Sequence, residues 1–326
     1  MFIARLALAA GLCMAAVTAQ AQSYNLRFAT STANQQEPSY KAIQNFAAYV
    51  KEKSDGRIRV TIFPGEQLGA QKKVNEMIMG GANMVNMTDY GQLGQFVPDL
   101  GIVAGPYVYG GMDDAKKLFA SDLFKGMTAK LEAQGIKVLM ADGLFGVRHM
   151  IADRPIRHPR DLKDMTLRVP ASPIMLETFR TLGARPTEIT WGEVYNALQA
   201  NVVTGAEAPF GSIVGSKLNE VRKVVSKTGH QIMFTAWVTS TSFFNGLPPD
   251  LQKVLLDAGK AASEELARTT PAADDAFAEQ LRKEGITIVE DVDIAAFRAM
   301  TQPAYTAVRN LTPGLYEQVQ AVMAAK

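Results

Sequence analysis

Short runs with apolar residues at every second position alternate with helical patterns along nearly the whole chain, and this alternation restricts the fold more than any single motif does. NLRFAT (25–30) puts Leu26 and Phe28 on one face, and RIRVTIFP (57–64) does the same with Ile58, Val60 and Ile62. Between them, residues 38–53 carry Ile43, Phe46 and Val50 near the spacing of one helix face. A helix over 70–79 then leads to a strand at NMVNM (83–87), and IKVLMA (136–141) reads as another buried strand. Helices recurring between strands supply the crossovers that parallel strands need, so the pattern predicts α/β layers with largely parallel sheets.

The middle third repeats the logic. In TLRVPASPI (166–174), Leu167 and Val169 form the apolar face of a strand that Pro170 stops. A helix starting at Ser172 carries Met175, Phe179 and Leu182 and ends at Gly183. Thr190-Trp191-Gly192-Glu193 has the spacing of a capping box, with Val194 and Leu198 on the buried side of the next helix. NVVTGAEA (201–208) reads as the following strand, and residues 248–284 as helix interrupted at Pro271. The length of 326 residues suits two domains, yet no linker, internal repeat or low-complexity segment is visible. Two domains without a linker imply that the chain crosses between them more than once.

The first 21 residues have the layout of a secretory signal: Arg5, an apolar stretch from Leu6 to Val17, and Ala19-Gln20-Ala21 as the cleavage motif. Leu12 stands where a lipidation signal wants a small residue before Cys13, so a soluble exported protein cleaved after Ala21 is expected. Removing that leader also removes the sole cysteine, so the core alone must hold the protein. It leaves 33 basic against 32 acidic residues, a net +1 with no basic run, which disfavours nucleic-acid binding.

Catalytic machinery is not legible. His149, His158 and His230 lack the i, i+4 spacing of a metal-binding pair and read as solvated or locally hydrogen-bonded. No phosphate loop, dinucleotide fingerprint or nucleophile elbow occurs, and no cofactor or metal is expected. The acids of VEDVD (289–293) lack the spacing of a calcium loop and read as a strand-to-helix turn. EMIMGGANMVNM (76–87) reads as soft core filling.

A binding site does have candidates. Arg168 and Arg148 each end an expected strand, where ligands of open α/β sheets gather. The helix start at Ser172-Pro173 adds unpaired N–H groups that favour an anion. An arginine fork can donate two parallel hydrogen bonds to a carboxylate. The competing explanation for Arg168 is an ion pair with Asp164 or Glu177. Trp191 is open between packing and a ligand wall, and Asp89 between a turn and a polar pocket edge.

Several stretches resemble one known family. DLKDMTLRVPAS (161–172), LGARPTEITWGEVYNALQANVVTGAEAP (182–209) and FPGEQLGAQKKVNEMIMGGANM (63–84), supported by PDLGIVAGPYVY (98–109) and the GVR at 146–148, are similar to the periplasmic substrate-binding subunit of tripartite ATP-independent periplasmic (TRAP) transporters, the DctP family. The resemblance implies a two-lobed α/β periplasmic-binding-protein fold, type II-like, with mixed sheets flanked by helices and a long helix spanning both lobes. It implies lobe one at about 22–146 plus 234–273 and lobe two at about 147–233 plus 274–326. By the same resemblance the principal carboxylate-binding arginine falls on Arg168, a second ligand-facing arginine on Arg148 and an aromatic wall on Trp191. Further pocket positions fall on Ser31, Gln71, Asp89 and Gln92.

One departure stands out. The family often reads Q-E-N-P where this chain has Ala206-Glu207-Ala208-Pro209, so Ala208 replaces an asparagine that commonly helps hold the ligand. Phe210 is assigned as a second wall from its position. The resemblance thus implies a monomeric periplasmic protein that captures a small organic acid (hydroxy, keto, dicarboxylic or sugar acid) and delivers it to a membrane permease. Two alternatives stay open: a zwitterion or amine ligand facing Asp89, and a secreted enzyme using Asp89 or Glu207 as acid or base.

Overall fold

The computed structural model describes residues 23–325. The signal-peptide assignment therefore lies outside the described residues. Nine strands form one mixed sheet: β1 (Tyr24–Ala29), β2 (Ile58–Phe63), β3 (Met84–Asp89), β4 (Ile136–Ala152), β5 (Thr166–Val169), β6 (Arg185–Glu188), β7 (Gly205–Ala208), β8 (Val224–Ser240) and β9 (Thr287–Val289). Their order is β2-β1-β3-β8-β4-β7-β5-β6, with β9 also against β8.

The expectation of largely parallel pairing holds at the two ends and fails in the middle. β1 runs parallel to β2 and β3, and β5 parallel to β6 and β7. By contrast β3–β8, β4–β8 and β4–β7 are antiparallel. The cause is the 17-residue length of β4 and of β8, which run side by side in opposite directions through the molecule. The 136–141 run is therefore only the first third of a strand. Glycines at 143 and 146 sit at register shifts that bend the pair, and Gly146 takes φ 141°, a conformation open to glycine alone.

The two lobes are built on opposite ends of this pair. At one end β8 joins β3, and at the other β4 joins β7. A 35-residue helix, Pro249–Lys283, lies across both. Its first half, with Leu251, Leu255 and Leu266, packs on a core containing Phe28, Phe46 and Trp237, whose ring centroids lie 4.9–5.6 Å apart. Its last turns put Ala278 and Leu281 into a second core with Val194, Leu198 and Ile213. Gly259 allows the helix to approach β4, since a Cβ there would lie 2.3 Å from the Leu139 carbonyl oxygen.

Three local expectations change. The helix does not break at Pro271: it continues through it, because both halves are anchored on apolar cores that outweigh one missing hydrogen bond. The strand expected over 201–208 is reduced to Gly205–Ala208, with a turn before it at Asn201, where φ is 55°. Arg148 is not at a strand end but well inside β4.

Candidate functional site

A cavity of about 460 Å3 opens where the ends of β3, β5 and β7 face one another across the β4–β8 pair. The volume falls in the range typical of small-molecule sites. Eight of the expected residues line it: Ser31, Gln71, Asp89, Gln92, Arg148, Arg168, Trp191 and Ala208. They come from seven separate stretches of chain and are brought together by tertiary structure alone.

Arg168, the third residue of β5, is only 3% exposed. Its Nε–H donates to the Ile189 carbonyl oxygen at 2.9 Å, and its guanidinium carbon lies 5.2 Å from the Trp191 ring centroid. The aromatic face therefore holds the fork flat while leaving its two terminal nitrogens free of protein acceptors among the described residues. The ion-pair explanation fails on distance. Asp164 is taken by Arg185 at 2.7 Å and Glu177 by Arg180 at 2.8 Å. Burial pulls the Arg168 guanidinium down to about 10, partly offset by Glu207, so it is charged at neutral pH without a bonded counter-ion.

Arg148 is the opposite case. Its guanidinium forms a two-pronged pair with the Glu207 carboxylate, and its Nη2 also reaches the Glu207 carbonyl oxygen at 3.0 Å. His230 completes the cluster, with Nε2 at 3.3 Å from Glu207 and Nδ1 at 2.8 Å from Thr228 Oγ1. Burial alone would raise the Glu207 carboxyl, yet Arg148 and His230 hold it down to about 2. Glu207 is fully buried beneath Arg148 and does not line the cavity, so the acid–base role considered for it is not available. Arg148 presents charge to the cavity, but most of its donors are already used.

Asp89 is both a turn and a pocket edge. Its Oδ1 accepts the Gln92 N–H at 3.0 Å, capping a short helix, while the residue faces the cavity. Burial raises its carboxyl despite the nearby Arg148. Gln71 donates to Ser31 at 3.3 Å and accepts from Thr88 and the Asp89 N–H, which fixes its amide at the rim.

Two expectations are corrected. Phe210 is 3% exposed and packs 4.7 Å from His149 in the core rather than walling the cavity, because it starts the helix after β7 facing inward. The capping box at 190–193 does not form, since Thr190 Oγ1 donates to the Glu193 carboxylate at 2.7 Å instead of accepting a backbone N–H. The element begins as a 3-10 turn, Trp191–Glu193. His149 and His230 are buried, and of the two expected states the hydrogen-bonded one holds for both: His230 pairs locally with Thr228 at 2.8 Å and His149 accepts the more distant Gly229 N–H at 3.1 Å. Only His158 is partly open, accepting the Arg160 N–H in a turn.

Among the lining residues that the sequence reading did not single out are Glu37, Glu66 and Phe145. Glu66 accepts the Gly192 N–H at 2.9 Å, joining the β2 end of one lobe to the Trp191 turn of the other. In sequence it stands unremarked within the 63–84 stretch, and in the structure it occupies a tight turn with φ 60°. Among the described residues, no cluster of His, Cys, Asp or Glu is placed to hold a metal.

The buried histidines predict acid sensitivity. Burial pulls His149 down to about 3 and also lowers His230, whereas free imidazole titrates near 6.5. Below that pH the unfolded chain binds protons that the fold refuses. Stability from these groups is complete above about pH 6.5 and is lost as pH falls, for His149 by about 1.4 kcal/mol per unit down to about pH 3. Glu37, raised to about 8, acts in the opposite sense between its unfolded value and pH 8. A His149→Asn variant, which keeps an acceptor for the Gly229 N–H, isolates the histidine contribution. Urea midpoints of the variant should fall less steeply than wild type between pH 6.5 and 4, and identical slopes would contradict the assignment.

The sequence profile of the bacterial extracellular solute-binding proteins, family 7 (DctP), matches residues 28–310. A solute-binding protein of Roseobacter denitrificans is 30% identical over 308 residues, covering 92% of each chain. Among solved structures, a TRAP periplasmic solute-binding protein of Actinobacillus succinogenes with bound L-galactonate superimposes with a TM-score of 0.88 at 34% identity, covering 92% of this chain and 99% of that one. One from Ochrobacterium anthropi with bound L-fuconate gives 0.89 at 32% identity, with coverage of 92% and 99%.

Proposed function

This chain belongs to the bacterial extracellular solute-binding proteins, family 7, and on that premise we propose that it captures a small carboxylate-bearing organic acid between its lobes, in the periplasm, and delivers it to TRAP permease subunits in the membrane. The observation that carries the reading is Arg168: a charged fork, buried in the cavity wall, held flat on Trp191 and without a protein counter-ion. A carboxylate supplies both the missing charge and the two acceptors. The acids bound by the two solved relatives support this ligand class.

Lobe one comprises about 22–146 with 234–273 and lobe two about 147–233 with 274–326, acting as a monomer. Capture proceeds by closure of one on the other about the bent β4–β8 pair. Two contacts across the cleft support closure. Glu66 accepts from Gly192, and Gly91 passes so near Ser172 that a Cβ there would lie 2.2 Å from the hydroxyl oxygen. Closure contributes because the closed state adds contacts that neither lobe makes alone.

A thermal-shift screen across sugar acids, dicarboxylates, hydroxy and keto acids, amino-acid derivatives and amines tests the reading. A true ligand at a hundred times its dissociation constant adds about 2.7 kcal/mol. Stabilisation by amines alone would replace the acid with a cation facing Asp89. Chemical conversion of the stabilising compound would replace binding with catalysis.

A further inference from the structure

One acid in the cavity wall is not explained by carboxylate capture. Glu37 occupies the N-cap position of the helix Pro38–Lys53, a place that favours Ser, Thr, Asp or Asn, yet its side chain caps nothing. The residue is 6% exposed, and no hydrogen bond or ion pair engages its carboxyl among the described residues. Its oxygens are not among the sealed orphan atoms of the described residues, and the residue lines this cavity and a smaller one beside it. Two other cavity acids differ: buried Asp89 accepts from Gln92, and half-buried Glu66 accepts from Gly192.

The opposite lobe makes room for this carboxyl. A Cβ at Gly215 would lie 2.6 Å from Glu37 Oε1, and one at Gly211 would lie 3.6 Å from its Cγ. The anion anchor sits on other elements of the cavity wall: Glu37 packs against Gly211 and Gly215 of the helix after β7, whereas Arg168 lies on β5 against Ile189 and Trp191. Burial is the single influence on the Glu37 carboxyl and lifts it to about 8, leaving a neutral acid that both donates and accepts at pH 7. Such a group suits a hydroxyl, which also does both.

We propose that Glu37 hydrogen-bonds a hydroxyl at the end of the ligand remote from its carboxylate, and so selects polyhydroxy monocarboxylic acids over counterparts that lack the terminal hydroxyl. The proposal rests on the carboxylate reading above. Its cause is the cost of a buried polar group: a ligand ending in methyl excludes water and leaves Glu37 without a partner.

L-Galactonate and L-fuconate differ only in that terminal hydroxyl, which makes them the probes. Calorimetry on the full-length mature protein should show L-galactonate bound at least about tenfold more tightly than L-fuconate. Glu37→Leu should bring the two affinities within about twofold of each other, while Glu37→Gln, which still donates and accepts, should keep the preference. A merely structural residue would weaken both acids equally, and that result overturns the proposal. Equal binding of both acids by the wild type, or a preference that survives in Glu37→Leu, overturns it too and leaves carboxylate capture standing. No binding of either acid at millimolar concentration also overturns it, and the acid reading is then decided separately by the screen above.

Discussion

Replacing Arg168 with alanine is expected to weaken acid binding by about a hundredfold or more while the fold survives. Truncating one partner of a buried charge pair costs about 2–5 kcal/mol, because the other charge is left in a poor solvent. Here the abandoned charge belongs to the ligand carboxylate, and no neighbouring cation takes over, since Arg148 is already committed to Glu207. The fold survives because Arg168 makes one hydrogen bond to the protein, to Ile189, and its burial without a bonded counter-ion costs stability in the ligand-free state. Arg168→Lys should fall between the two, keeping charge but losing the planar fork that stacks on Trp191. Isothermal calorimetry against an acid found by thermal shift gives the answer. Unchanged affinity in Arg168→Ala would remove the anchor from the mechanism.

Replacing Glu207 with glutamine is expected to cost about 3–5 kcal/mol of folding stability, a large share of what a domain has. The substitution keeps volume, removes the charge and turns one of the two acceptor oxygens into an NH2 donor. It leaves Arg148, 5% exposed, with no paired carboxylate, and leaves one oxygen to serve Arg148 and His230 where there were two. Urea unfolding should show a lower midpoint with an unchanged slope. A control variant replacing both partners, Arg148→Met with Glu207→Leu, should recover much of the loss, since well-packed apolar pairs often match buried ion pairs. The pair also sets a limit in acid. With a folded value near 2 against an ordinary 4.5, Glu207 stabilises fully above about pH 4.5 and loses that contribution as pH falls through 2. An unchanged midpoint in Glu207→Gln would show that Arg148 is solvated or otherwise compensated.

The contrast between these two arginines shows where reading the chain succeeds and where it stops. Both stood at equivalent places in the pattern, each as an expected strand end beside a turn. For Arg168 the local pattern was sufficient: Pro170 ends the strand and Ser172 caps the next helix, so the position of the side chain follows from neighbours in sequence. For Arg148 it was not, because β4 continues past it and Glu207, 59 residues away, is bonded to it. Phe210 failed for the same reason. Its inward direction depends on His149 and on the core behind β7, which no local spacing encodes.

Glu37 and Glu66 mark the remaining gap. Each looks like an ordinary surface glutamate in its own stretch, one before a helix and one in a tight turn. Each takes its place in the cavity wall against a distant segment, Glu37 buried beside Gly215 and Glu66 half-buried with the Gly192 N–H on its carboxylate.

By itself the sequence determined the α/β class, most strand and helix positions and the place of Arg168 near the end of its strand, because period, capping residues and proline stops act within a few residues. Tertiary structure alone decided that the two lobes share one sheet through β4 and β8, that Pro271 leaves its helix unbroken, and that Arg148 is paired internally. It also decided which acids face the cavity. Those outcomes depend on pairings between distant segments, where burial fixes the charge and the partners of each polar group, and burial is a property of the assembled fold.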